Sequence, residues 1–333
     1  MKETTKKHLS LILRIIVAVV LLAYLFVKID IMDVWDKLKN AQIGLMITAI
    51  LLYAIICVMA IIRWNLLLLV HKVRVSYMRL TELFFIGLFF NNAMPGSTGG
   101  DIIKAYYTAK ETKTHKPEAV TTVFIDRIVG IIGLLTIGLF ALMFNLKNPA
   151  FQNIAIFLLC LFVTMIIFTP LFLSKNLMKK VPLLQHLIEK LPFGDMIKRI
   201  YHTFYTYKSH KKTIVYGILL SMGLQAIFIV AIAIMGQSIG MELKLHYYFL
   251  FIPIIATIAA LPVSVSGLGV NESLYVYCFS LVGATEESSL AIALLGRLIL
   301  MIWSIPGWYF YMTAGKNKLS EQEIQQEIKG FQL

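Results

Sequence analysis

Apolar positions along the chain gather into runs of bilayer length: Leu9–Val27, Ile43–Ile62, Val120–Phe144, Phe151–Leu173, Ile214–Ile239 and Leu290–Met312. A helix rises about 1.5 Å per residue against a hydrocarbon core about 30 Å thick, so about 20 residues cross it. Each run is long enough. The pattern predicts an all-α polytopic membrane protein. Two further apolar stretches stop short. Leu80–Met94 breaks at Pro95-Gly96-Ser97-Thr98-Gly99-Gly100 and returns through Asp101–Lys110. Tyr247–Leu261 breaks at Pro262 to Gly269 and returns through Val270–Val282. Backbone that is not helical survives at membrane depth only where protein or a cavity surrounds it. These stretches therefore predict two broken re-entrant hairpins, over 80–117 and 246–283, hinged at Pro95 and Pro262.

Composition agrees with the runs and narrows the classes. Of 333 residues, 59% are apolar and 15% charged, against about 45–50% and about 25% in ordinary globular domains. That excludes a soluble enzyme, a nucleic-acid-binding domain and a secreted disulfide scaffold. Cys57, Cys160 and Cys278 each lie alone in an apolar run, which leaves no disulfide or metal spacing. The net charge of +13 is unevenly placed. With the N-terminus inside, segments 1–8, 63–80, 101–117, 174–212 and 315–333 hold 23 Lys and Arg, and the opposite segments hold 5. Lys and Arg concentrate on the cytoplasmic side, so both termini are expected there. Segment 174–212 carries Lys179-Lys180, Lys198-Arg199 and Lys211-Lys212 between apolar patches, the composition of a basic amphipathic helix on an anionic leaflet; a solvated connector is the plain alternative. The first run, Leu9–Val27, lacks a small-residue cleavage pattern after it, so a removable leader is not expected.

The two breaks occupy corresponding places. Asp101 precedes Arg127 at almost the same spacing as Glu272 precedes Arg297. The offset of 171 that carries Asp101 onto Glu272 also carries Ile43 onto Ile214. Each half reads as span, span, broken hairpin, span. Three crossings are an odd number, so the second half is expected upside down relative to the first. The chain then forms one membrane domain, 1–333, with a first inverted repeat over 9–145, a second over 151–313 and a tail over 314–333. Inverted repeats with broken helices near the midplane are the architecture of many secondary transporters. Two kinked ordinary helices are the simpler alternative, but they leave the matched carboxylate and arginine unexplained.

Ionised groups at membrane depth cost at least about 2.5–3.5 kcal/mol on insertion scales, so they face a cavity or one another. Asp101 with Arg127 and Glu272 with Arg297 are the expected pairs. They are either ties between helices or the lining of a polar path, in which the arginines grip phosphate. Asp101, Asp126 and Glu272 are the candidates for proton or ion coupling. Gly99, Gly100, Gly267 and Gly269 are placed to offer backbone N–H groups to phosphate oxygens at helix starts; alternatively Asp101, and Glu272 or Asn271, cap those helices. Asn91, Asn92, Ser264 and Ser266 add uncharged polar groups beside the breaks. Gly267-x-Gly269-x-x-Glu272 has no βαβ context and carries no dinucleotide reading. No histidine pair suggests zinc, no nucleophile–base set occurs, and no cofactor is expected.

The strings Asn92-Ala-Met-Pro-Gly-Ser-Thr-Gly-Gly-Asp101, Asp126-Arg127-Ile-Val-Gly130 and Leu261-Pro-Val-Ser-Val-Ser-Gly-Leu-Gly-Val-Asn-Glu272 resemble the transmembrane region of the lysylphosphatidylglycerol synthase/flippase family, that of MprF-type proteins. The resemblance covers nearly the whole chain, from residue 9 to residue 313. It implies a lipid-flippase fold, with Asp101 and Arg127 at positions implicated in flipping. MprF-type members move lysyl- or alanyl-phosphatidylglycerol outward and append a cytosolic aminoacyl-transferase domain. This sequence ends at Leu333, soon after its last run closes at Met312. The resemblance therefore implies a stand-alone member that does not synthesise an aminoacyl lipid.

Together these readings predict a multi-pass flippase or transporter of the cell membrane, not an enzyme, for an anionic, aminoacylated or glycosylated lipid. The headgroup would pass between the hairpins, with Arg127 and Arg297 on phosphate and Asp101 and Glu272 on an amine or sugar. Two rivals remain: a non-transporting partner of a lipid-modifying enzyme, and a transferase using a lipid-linked donor. Gly130, Gly133 and Gly138 on one run offer a packing face, within the protomer or across a homodimer. No nucleic-acid partner is expected.

Overall fold

A computed structural model describes residues 3–94, 99–112, 115–143, 159–160, 162–164, 206–261 and 263–313. Among them all regular elements are helical. The hinges Pro95 and Pro262, most of the run Phe151–Leu173, segment 174–205 and the tail 314–333 lie outside the described residues. The helices are α1 (Glu3–Lys28), α2 (Ile31–Lys39), α3 (Ile43–Val70), α4 (Tyr77–Ala93), α5 (Gly99–Lys110) and α6 (Lys116–Met143). After a short turn at Tyr207–His210 come α7 (Lys211–Ser238), α8 (Leu245–Ala259), α9 (Val270–Ser280) and α10 (Glu286–Thr313).

By length and composition α3, α6, α7 and α10 each suffice to cross a bilayer. The pair α1–α2, bent by 86°, makes a fifth when counted as one span. The bend has a local cause: Asp30 caps α2 by accepting from the Met32 N–H at 2.8 Å, and so restarts the helix in a new direction. Val19, Val20, Phe26 and Val27 on α1 are exposed, Val27 at 91%. Apolar surface of this extent is unfavourable in water and is at home against lipid tails.

Helices α3 to α6 have 28, 17, 12 and 28 residues; α7 to α10 have 28, 15, 11 and 28. The two sets interlock. α3 packs along α7, α4 packs on α10, and α8 packs on α6. Small residues let the backbones approach. A Cβ on Gly307 of α10 would stand 1.9 Å from the Phe85 carbonyl of α4, and one on Gly133 of α6 would stand 2.5 Å from Ser221 Cβ of α7. The glycine face of α6 therefore packs within the protomer at Gly130 and Gly133. One large core joins Phe251 and Phe279 to Leu290, Ile229 and Leu135; a second gathers Trp64, Leu80, Leu83, Ile103 and Tyr107 around α4 and α5.

The first hairpin returns to the side it leaves. Arg79, at the start of α4, donates to Glu82 at 2.6 Å and to Glu111, just past α5, at 2.7 Å. One guanidinium thus clamps both feet of the hairpin. Inside it, a Cβ on Gly100 would lie 1.9 Å from the Gly87 carbonyl, so α4 and α5 touch backbone to backbone.

Two boundaries differ from the sequence reading. The run ending at Ile62 continues to Val70, which places Arg63 inside α3, buried, rather than in a basic connector. Lys104, assigned from the sequence to the basic segment 101–117, is buried on α5 at 6% exposure. Both belong to the interior, so they leave the orientation tally.

His71, just beyond α3, is buried with its ring edge-on to Tyr207, and its Nε2 has no partner among the described residues. Burial pushes the imidazole down to about 4 from 6.5, against a smaller opposing pull from Glu118. The folded state therefore takes a proton less readily than the unfolded one. Its stability is full above about pH 6.5 and falls as pH drops from there toward 4. Melting of the purified protein in detergent should shift down as the pH is lowered through that window, and His71→Phe should remove part of that shift. An unchanged shift in the variant would clear His71 of the effect.

Candidate functional site

The first break sits between α4 and α5. Asn91, near the end of α4, accepts from the Gly100 N–H at 2.9 Å, and Asn92 donates to the Leu300 carbonyl of α10 at 3.2 Å. Asp101, in the first turn of α5, pairs with Arg127 of α6. The Arg127 side chain stays 47% exposed while the Asp101 side chain is 15% exposed. Arg127 therefore forms the accessible rim.

Beneath that rim lies a second set of charges. Lys104 is one turn beyond Asp101, on the stripe of α5 that buries Gly100, Ile103, Tyr107 and Thr108. Its Nζ stands 3.7 Å from Asp126 Oδ2 and 3.8 Å from the centre of the Trp64 ring, an ion pair joined to a cation–π contact. Asp126 accepts from Arg63 Nε at 2.7 Å; Arg63 Nη1 donates to Ser221 Oγ at 2.7 Å; Ser221 in turn donates to the Gly217 carbonyl at 2.8 Å. The chain of charge links α5, α6, α3 and α7.

The second break is built differently. Ser266 at φ +50° is a left-handed residue that is not glycine, flanked by Gly267 at +70° and Gly269 at +77°. Glu272 is fully buried. Its Oε2 accepts from the Gly269 N–H at 2.7 Å, while Oε1 accepts from Arg297 Nε at 2.8 Å. Helix α1 closes over this turn: a Cβ on Gly269 would stand 2.9 Å from the Ala18 carbonyl. Ser264 is buried and Ser273 half-buried, each with a buried hydroxyl that lacks a partner among the described residues, and Asn271 is half-buried at the start of α9. The breaks touch where Ser266 Oγ donates to the Met94 carbonyl at 3.1 Å.

The structure brings together Asp101 with Arg127 and Glu272 with Arg297, as their spacing suggests. The Gly100 and Gly269 amides are already held, the first by Asn91 and the second by Glu272. Capping therefore accounts for both, with Asn91 rather than Asp101 serving the first helix. Arg63, Lys104 and Trp64 are the residues that sequence reasoning missed. Two signals carried them: the apolar stretch Leu66–Val70 beyond Arg63, and the place of Lys104 at helical spacing within the buried stripe of α5. An open depression of about 650 Å³, lined by Asp33, Asp36, Gln42, Ser238 and Glu287 among others, lies where α2, α3, α7 and α10 end or begin. It is distant from the first break, since Gln42 caps the start of α3 and Arg63 lies near its far end, about 30 Å away at helical rise.

Residues 11–307 match the lysylphosphatidylglycerol synthase transmembrane region. The chain belongs to that family. Its relatives include a UPF0104 membrane protein of Pyrococcus horikoshii, 24% identical over 88% of this chain and 92% of the relative. A UPF0104 membrane protein of Methanothermobacter thermautotrophicus is 22% identical over 90% and 93% respectively. This member of the lysylphosphatidylglycerol synthase transmembrane family is thus similar over most of its length to two proteins described as membrane proteins.

Removing one partner from a buried ion pair leaves an uncompensated charge, at a cost of about 3–5 kcal/mol. Asp126→Ala strands both Arg63 and Lys104 and should destabilise the folded protein in that range, read by denaturant unfolding in detergent. Arg127→Ala strands the single carboxylate of Asp101 and should cost less than Asp126→Ala. Equal losses for the two variants would contradict the division into floor and rim.

Proposed function

We propose that the protein is a lipid flippase of the cell membrane that carries a phospholipid or glycolipid headgroup past the junction of its two broken hairpins. The observation that carries the reading is the Ser266–Met94 contact between the breaks, with an arginine–carboxylate pair behind each. Irregular backbone and paired charge are costly inside a membrane. Their convergence is what a polar path for a headgroup requires, while acyl chains remain in lipid.

The helix lengths and interlocked packing support a second element of the proposal, that α3–α6 and α7–α10 are inverted repeats. Arg127 in α6 and Arg297 in α10 occupy the same position counted from the start of two helices of equal length. In antiparallel helices such positions lie at mirrored depths, about 16 Å from opposite ends. The orientation with both termini cytoplasmic follows from the charge distribution along the connectors. Asp101, Asp126 and Glu272 each accept from an arginine in this state. A coupling role for any of them therefore includes breaking that pair during the cycle.

A non-transporting partner of a lipid-modifying enzyme is the second reading, favoured by the α1 cover over Gly269 that closes the second break. Reconstitution into liposomes with fluorescent lipids of several headgroups separates the two. The flippase reading predicts headgroup-dependent leaflet exchange that falls at least tenfold in the Arg127→Ala, Arg297→Ala double variant. No exchange from monodisperse protein, across phospholipids and glycolipids alike, would overturn it.

A further inference from the structure

The two arginine–carboxylate pairs are not electrically equivalent. At the second break Glu272 and Arg297 balance one charge against one, with Glu272 fully buried and both its oxygens occupied. At the first break Asp101 faces Arg127 at the rim, while below them Arg63 and Lys104 share the carboxylate of Asp126. At their ordinary charges Arg63, Lys104 and Asp126 together carry one positive charge in excess. That excess lies low in the site: Asp101 matches Arg127 at the rim, and Asp126 is shared between Arg63 at 2.7 Å and Lys104 at the longer 3.7 Å. Lys104 is the least well compensated cation, and the Trp64 ring 3.8 Å from it stabilises the ammonium without neutralising it.

A net charge in a low-dielectric interior is screened poorly, so its field reaches nearby groups at close to full effect. Arg127 has the most exposed side chain of the cluster, and the planar fork of a guanidinium suits phosphate oxygens. We propose that the rim at Arg127 is the anion seat of this protein, and that the buried charge of Lys104 makes it select ligands with a net negative phosphate over zwitterionic ones. Lys104 is then a specificity-determining residue that does not touch the ligand. The seat takes a phosphodiester lipid headgroup or a free phosphate, which share the chemistry recognised. The assignment rests on the flippase reading for its location but is testable as binding alone.

The test uses the full chain in detergent, titrated with three probes: short-chain phosphatidylglycerol, short-chain phosphatidylcholine and inorganic phosphate. Wild type should bind phosphatidylglycerol at least tenfold more tightly than phosphatidylcholine. In Lys104→Met that preference should shrink to about threefold or less, while Lys28→Met, which removes a partly exposed cation at the end of α1, should keep it. Phosphate competing at concentrations near those of the lipid would support the seat and name a soluble anion as its ligand. Weak competition would support the seat and assign it to lipid. A wild type without preference overturns the proposal even if Lys104→Met fails to fold, and so does a folded Lys104→Met that retains the tenfold preference. Selective binding without leaflet exchange in liposomes would sink the flippase reading and leave the anion seat standing.

Discussion

Asp126 accepts from Arg63 at 2.7 Å, faces Lys104 at 3.7 Å, and lies buried among four helices of a protein made to sit in lipid. Everything around the first break answers to that burial. Each of these charges alone would cost several kcal/mol in such a place, so helices α3, α5, α6 and α7 are fixed to one another by the need to keep the charges together. The lysine needs Trp64, the arginine needs Ser221, and Ser221 needs the nearby carbonyl of Gly217. The rim pair Asp101–Arg127 stands on this floor and inherits its geometry.

The same constraint governs the irregular backbone. Ends of half-helices at membrane depth have amides that water cannot serve. Asn91 serves one, Glu272 serves another, and Ser266 reaches across to the Met94 carbonyl. Glycines at positive φ make the second turn tight enough for α1 to lie against it. These three backbone groups are thus served by side chains from the same hairpin or the opposite one. The breaks are built features, since a mere kink would not need partners drawn from so far along the chain.

Much of this was legible in the sequence because membrane insertion writes coarse signals. Run length announced α3, α6, α7 and α10, and the Pro- and Gly-bearing strings announced the breaks between α4 and α5 and between α8 and α9. A carboxylate recurring at nearly one spacing before an arginine announced both pairs behind the breaks. The floor was not legible for a physical reason: in a hydropathy reading a buried charge looks like the end of a span. Arg63 cut the third helix short and Lys104 was swept into a connector, because the carboxylate they share comes from α6, far along the chain. The caps were half legible. Glu272 stands at capping distance from Gly269, whereas Asn91 reaches Gly100 only once the hairpin has closed.

If a headgroup passes between the hairpins, the junction of the two breaks must open for it. Replacing Cys57, Cys160 and Cys278, then introducing Met94→Cys with Ser266→Cys, places two thiols where Ser266 now meets the Met94 backbone. Leaflet exchange in liposomes is then compared before oxidation, after oxidation and after reduction. Exchange should stop when the pair is cross-linked and return when it is reduced. Full exchange through the cross-linked junction would contradict a path between the hairpins.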